Sequence, residues 1–297
     1  MNPIILILTC AFIFAGQAVF FKMFSSGYRR GFASHFLNNT VFLGIVVLLC
    51  AAVNGVTGAE NPQTYVYAAV YGVVLTSAFL FFVLAMGLGP TGLVTLFFSF
   101  GIVIPIIADL AVLGTLVTVF QIIGLALLFI SFYIGNRPIG EEKKKISPRF
   151  ILVCICSFIF NGLAMATAKL HQGVMPGVDV NIFVVFSFTI GVLLSFTLFI
   201  ISHLKESKKE KISYMHMFKS PKYYLSVVGS GGTTAAGNIF MLIAASQVPA
   251  AIQFPLMNGG TAIITAILSI FIFKEKLTKK MAVVFIIGIA ALTIINL

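Results

Sequence analysis

Residues 10–18 read Cys-Ala-Phe-Ile-Phe-Ala-Gly-Gln-Ala, and residues 156–164 read Cys-Ser-Phe-Ile-Phe-Asn-Gly-Leu-Ala. Six of the nine positions agree, 146 residues apart in a chain of 297. Two weaker pairs extend the match. Gly72-xxx-Thr76-Ser77-Ala78 answers to Gly229-xxx-Thr233-Thr234-Ala235, and Ala85-xxxx-Pro90 to Ala244-xxxx-Pro249, at offsets of 157 and 159. The offset widens across the basic stretch 204–221, so an insertion there accounts for the difference. The chain reads as two copies of one unit, residues 1–140 and 141–297.

The medium of both copies is set by composition. Apolar residues make up 60% of the chain and charged residues 9%, where a soluble domain is roughly a quarter charged. A membrane span takes about 20 apolar residues. Apolar runs separated by turn residues predict spans at about 3–24, 32–53, 62–86, 90–112, 116–135, 149–170, 179–203, 222–246, 249–273 and 278–296. The fold expected is an all-α membrane protein with ten transmembrane helices. Five spans per copy is an odd number, so the second copy enters the membrane inverted, and two inverted five-helix repeats are a transporter architecture.

The net charge of +11 would suit a nucleic-acid binder, but its distribution excludes that partner. Of the 19 Lys and Arg residues, 18 fall in or beside odd-numbered connections: Lys22, Arg29 and Arg30; Arg137, Lys143–Lys145 and Arg149; Lys205, Lys208, Lys209, Lys211, Lys219 and Lys222; Lys274, Lys276, Lys279 and Lys280. Only Lys169 lies near an even one. The positive-inside rule puts odd connections in the cytoplasm and both termini outside, with the cell membrane as the expected location. Met1-Asn2-Pro3 carries no basic residue, so the first run is read as a span and not as a signal peptide. Cys10, Cys50, Cys154 and Cys156 fall inside apolar runs and are read as packing. No metal site or cofactor is expected.

With these segments in place, the sequence resembles the EamA-type family of the drug/metabolite transporter superfamily, one family domain per half. The resemblance is carried by Phe14-Ala15-Gly16…Lys22 and Phe160-Asn161-Gly162…Lys169. It is also carried by Ala85-Met-Gly-Leu-Gly-Pro-Thr91, Ala244-Ala-Ser-Gln-Val-Pro-Ala250 and Phe273-Lys-Glu-Lys-Leu-Thr278. Gly114-Thr-Leu-Val-Thr118 departs from it, with Thr where the family usually has Glu. The resemblance implies a carrier of small organic molecules, most often an exporter. Related four-span exporters use a Glu in the first helix for protons. Ala15 and Gln17 occupy that region here, so that mechanism does not carry over.

Polar groups at membrane depth mark a pathway or a helix contact. Ser230, Thr234 and Asn238 share one face of the eighth span, and Asn258, Thr261 and Thr265 one face of the ninth. Thr95 and Ser99 do so on the fourth, with Pro105 loosening the helix beyond them. The expected solute contacts are Gln17, Thr76, Ser99, Asn161, Thr234, Asn238, Gln253 and Asn258. For the hydroxyls, a bond back to their own helix competes with that role. Gly259-Gly260 is expected to loosen the ninth span. Gly229-x-Gly231-Gly232 lacks the Lys of a phosphate loop and reads as close helix packing. Asp109 is the candidate coupling or gating group, and Lys169 is expected to snorkel. The four His residues lie near span ends or in loops, so no nucleophile and base face each other at midspan, and an enzyme is not expected. The expected partners are a small-molecule substrate and the bilayer, and a homodimer is compatible with the reading. The alternatives are an importer of sugar or another metabolite, a non-transporting scaffold, and an intramembrane enzyme.

Overall fold

The computed structural model describes residues 2–25, 32–54, 58–88, 91–136, 147–206, 216–273 and 279–295. Arg29, Arg30, Arg137, Lys143–Lys145, Lys208, Lys209, Lys211, Lys274 and Lys276 lie outside them, as do the side chains of Lys22 and Thr95. The described residues contain helices and no strands. The α-helices are α1 (Pro3–Ser25), α2 (Phe32–Asn54), α3 (Gln63–Leu88), α4 (Thr91–Phe100), α5 (Val103–Leu113) and α6 (Val119–Asn136), followed by α7 (Pro148–Val174), α8 (Val180–Lys205), α9 (Pro221–Ala245), α10 (Ala250–Phe273) and α11 (Lys279–Ile295). Six of them, α1, α2, α3, α7, α8 and α9, are long and apolar enough to cross a membrane.

Helix starts follow local chemistry. Ser147 accepts a hydrogen bond from the Phe150 N–H, with Pro148 at the first helical position. Thr118 and Gln121 exchange bonds, hydroxyl to the Gln121 N–H and amide oxygen to the Thr118 N–H. This reciprocal cap starts α6 at residue 119, and residues 114–118 stay outside the helix, later than the span expected from 116. Gly114, at φ 69°, closes α5 in the left-handed conformation that suits glycine.

The fourth run is not one helix. It breaks at Gly101-Ile102, beyond Ser99 and just before Pro105. Proline has no N–H to offer the carbonyl four residues back, which belongs to Gly101. The chain tightens instead through bonds from Gly101 N to Phe98 O and from Ile104 N to Gly101 O. Pro105 then sits in the first turn of α5, where its missing N–H costs nothing. A Cβ on Gly101 would stand 2.9 Å from the Asn161 amide, so only glycine lets α7 cross this closely. The ninth run, by contrast, is unbroken from 250 to 273. Gly259 packs against Leu128 and Leu292 and Gly260 against Ala11, so these glycines serve contact and do not loosen the helix.

Helix α3 packs on α7, and α9 on α1. Helices α4 and α5 pack on α7, and α10 on α1. Helix α3 also meets α8, and α9 meets α2, while α2 pairs with α8 and α6 with α11. Large apolar side chains face outward, among them Leu48, Val53, Phe271 and Ile286, each at least 69% exposed. Polar side chains face inward: Asn39, Asp109, Asn161, Lys169, His171, Gln172, Asn238 and Gln253 are all buried. That inversion of the soluble pattern is what a hydrocarbon solvent selects. Cys10, Cys50 and Cys154 are buried and unpaired, Cys156 is half-buried, and the described residues hold no cluster suited to a metal.

Candidate functional site: a neutral cavity between the two halves

A cavity of about 290 Å³ lies among α1, α2, α3, α4, α7, α8, α9 and α10. Both halves build it. Gln17, Asn161, Thr234, Asn238 and Asn258 line it together with Tyr71 and Thr261. Phe14, Phe42, Phe79, Phe98 and Phe188 form the apolar walls, with Met165, Met241 and Met257. No charged side chain is among the described lining residues.

The amides are held by the helices around them. The Gln17 amide of α1 donates to the Thr234 hydroxyl of α9, and that hydroxyl donates to the Ser230 carbonyl at 2.7 Å. Asn238 donates to the Thr234 carbonyl at 2.9 Å and accepts from the Tyr71 hydroxyl at 2.8 Å. Asn161 donates to the Phe98 carbonyl at 2.9 Å, in the last turn of α4 where the helix stops. The helix break thus leaves an acceptor at the cavity wall for Asn161. The Asn258 amide nitrogen has no hydrogen-bond partner among the described residues. A solute entering here meets neutral amide groups against aromatic and thioether walls, a chemistry typical of small-molecule sites.

Five of the eight expected contacts come together at this cavity, and three do not. Thr76 is buried at the contact of α3 with α8, beside Gly191. Ser99 is half-buried next to Phe98, which does line the cavity. Gln253 is buried outside the cavity lining and ties the start of α10 to α9, its amide nitrogen donating to the Met241 carbonyl at 2.8 Å. Ser230, like Thr234, bonds back to its own helix. Tyr71 and the Phe98 carbonyl were not singled out from the sequence. The spacing of Gly101 and Pro105, four residues apart, carried a signal for the second.

Asp109 and Lys169 lie away from the cavity, in contact with the turn between α9 and α10. Lys169 does not snorkel. It is 5% exposed, and its ammonium donates to the carbonyls of Ala245 and Val248 at 2.8 and 2.7 Å. The Asp109 carboxylate accepts from the Ala250 N–H at 2.6 Å and stands 3.8 Å from the ammonium. A helix that ends leaves carbonyls unpaired, and one that begins leaves N–H groups unpaired. Here a cation caps the end of α9 and an anion the start of α10, each with the favourable sign for the helix dipole.

A second polar cluster at this end of the bundle was also not anticipated. His171 and Gln172 of α7, Thr64 of α3 and Asp179 before α8 bond to one another. Asp179 has φ 55° and accepts from the N–H groups of Glu60 and Asn61 at 2.8 and 3.0 Å. Partial burial raises its pKa. The two backbone donors, the Thr64 hydroxyl and His171 outweigh that, and hold the carboxyl below its ordinary value. His35, His203 and His216 lie elsewhere in the chain, so the sequence reading had no partner to give His171.

No protein-family model matches the chain, and no curated protein does. Its fold is similar to that of a solved chain described only as "Crystal structure of protein", at a TM-score of 0.72 and 11% identity. The likeness covers 100% of this chain and 98% of that one, so the whole helical arrangement is shared with a known structure.

Proposed function

We propose that the chain is a ten-span membrane carrier built from two inverted five-helix repeats, residues 1–140 and 141–297, of the EamA-type family in the drug/metabolite transporter superfamily. It moves a small neutral, zwitterionic or apolar organic solute by alternating access, as an exporter in the cell membrane, with both termini on the outer side. The observation that carries this reading is the neutral, amide-lined cavity between the halves. Packing supports the repeat. Exchange α1 with α7, α2 with α8, α3 with α9, α4–α5 with α10 and α6 with α11. The pair α3·α7 then becomes α9·α1, α5·α7 becomes α10·α1, α3·α8 becomes α9·α2, and α2·α8 and α6·α11 map onto themselves. Two halves related this way can trade conformations around a fixed central site.

A counterflow screen of metabolites in proteoliposomes tests it. At least one neutral or zwitterionic solute should accumulate against unlabelled solute inside, and the Asn238→Ala variant should lose that accumulation. A correctly inserted protein that moves no solute in the screen would favour the scaffold reading.

A further inference from the structure

We infer that His171 is a proton-binding site that latches one end of the bundle, and that protonating it releases the latch. The inference rests on the proposed carrier function for its purpose, though not for its chemistry. It begins with the Gln172 amide, whose orientation is fixed by its neighbours. Its oxygen accepts from the Gly177 N–H at 2.9 Å, and its nitrogen donates to the Val178 carbonyl at 3.2 Å. The same nitrogen lies 2.9 Å from His171 Nδ1. An amide nitrogen only donates, so Nδ1 must be the bare, accepting nitrogen of a neutral ring. The ring proton therefore sits on Nε2, which donates to the Thr64 hydroxyl at 3.1 Å. That hydroxyl donates onward to Asp179 at 2.8 Å.

The closed arrangement has no place for a second ring proton. Adding one to Nδ1 sets donor against donor, and the Gln172 amide must leave. Its departure frees the Gly177 N–H and the Val178 carbonyl, which hold the turn between α7 and α8. That turn carries Asp179, the group that clips the segment before α3.

The other ionisable groups around this end do not replace His171. Helix α7 packs on α3, α4, α5 and α9. From α3, Tyr67 meets the ring edge-on with centroids 5.7 Å apart, and Tyr65 packs on Phe186. From the segment before α3, Glu60 is exposed. From α5, Asp109 is engaged with Lys169 and Ala250. Lys222, Tyr223 and Tyr224 of α9 and His203 and Lys205 of α8 lie at the opposite ends of their helices. Asp179 stays ionised through mild acid, because its carboxyl is held below the ordinary value.

The latch also reaches the cavity. Phe183 stacks on His171 at 4.5 Å, Tyr71 packs on Phe183 at 5.2 Å, and the Tyr71 hydroxyl bonds to Asn238 in the cavity wall. Opening the latch therefore loosens the support of a lining residue. A proton taken up at this end and a solute bound at Asn238 act on one packed chain of rings.

Amide hydrogen exchange on the purified full chain in nanodiscs tests the latch without a substrate. The reporters are residues 172–180 and 58–66. The readout is the exchange rate of the parent divided by that of His171→Gln at the same pH, which cancels the intrinsic pH dependence of exchange. An opened, hydrated imidazole titrates near about 6.5. One proton then favours the open form roughly tenfold at about pH 5.5 and hardly at about pH 7.5. The ratio should rise by that factor between the two. A flat ratio overturns the inference. Gln172→Glu decides the matter if His171→Gln fails to fold, because its carboxylate can accept the second ring proton in the closed form. Compared directly with the parent, it should lose the acid response; if it keeps the full tenfold response, the inference is wrong. An acid response without solute counterflow would remove the carrier reading and leave the latch. Counterflow without the acid response would do the reverse.

Discussion

Removing the Lys169 ammonium tests how the end of the bundle is held. The substitution Lys169→Met keeps the aliphatic volume and deletes the charge. It abolishes two charge-assisted bonds to the carbonyls of Ala245 and Val248, and it strands the buried carboxylate of Asp109. At 3.8 Å, a unit charge pair in an effective dielectric of about 20 is worth roughly 4 kcal/mol before desolvation. Breaking a buried pair from one side costs about 3–5 kcal/mol, since the remaining charge is unpaired. The Asp109→Asn change is milder, because an amide oxygen can still accept from Ala250. The double variant leaves no charge behind. Its loss should fall short of the sum of the single losses by about 2 kcal/mol. Reversible unfolding of the purified protein by titrated detergent, followed by circular dichroism, gives the four free energies. Additive losses, or a Lys169→Met variant as stable as the parent, would refute the idea that the pair acts as one clasp.

The remaining expectations concern the cavity, the orientation and the outer turns. Asn161→Ala, Asn238→Ala and Asn258→Ala should each weaken solute transport at normal membrane insertion, by about 1–3 kcal/mol or roughly ten- to a hundredfold in apparent affinity. Normal counterflow in all three variants would move the site elsewhere. A Lys208→Cys variant on a background without the native cysteines should resist membrane-impermeant thiol reagents in intact cells, and ready labelling would reverse the orientation. Asp179→Asn removes the ionised acceptor of Glu60 and Asn61, and should speed exchange at residues 58–62 at neutral pH. In the parent, the carboxyl's pKa is lowered on folding, so its contribution is complete above its ordinary value of about 3.9 and is lost only as pH falls through the lowered one. Residues 58–62 in His171→Gln, where the imidazole no longer responds, should therefore stay protected down to about pH 5.

Periodicity and composition made the helices legible. The start of α7 fell within a residue of its expected place, where Ser147-Pro148 marks the cap. The α6 start was missed because Leu116 and Val117 are apolar, yet the reciprocal cap of Thr118 and Gln121 begins the helix after them. Polarity at midspan brought five of the expected contacts to the cavity, because a buried amide in an apolar helix must find a partner and the centre of the bundle is where partners meet. Gln253 met the same requirement away from the cavity lining, its amide nitrogen donating to the Met241 carbonyl. The Lys169 ammonium and the His171 ring were illegible in kind. Their partners are backbone groups of turns or side chains on other helices, distant in sequence, and no spacing along one helix encodes them.

The two halves also differ where they meet at the cavity. The proposed repeat pairs α4–α5 with α10, yet α4 and α5 are broken at Gly101 while α10 runs unbroken past Asn258. Both carry a proline, but at different depths. Pro105 falls just after a break, in a first turn, whereas Pro255 lies inside α10. At the break near the cavity, Phe98 O accepts from the Gly101 N–H and also from Asn161 of the opposite half. On the unbroken α10, the Asn258 amide nitrogen has no hydrogen-bond partner among the described residues. The second half thus brings two amides to the cavity in different states: Asn161 is tied to the first half, and Asn258 keeps a donor open. Under the proposed carrier function, that open donor is the group a solute can engage without first displacing a protein bond. On that proposal Asn258→Ala should weaken solute affinity most directly, whereas Asn161→Ala should first loosen the tie to the Phe98 carbonyl.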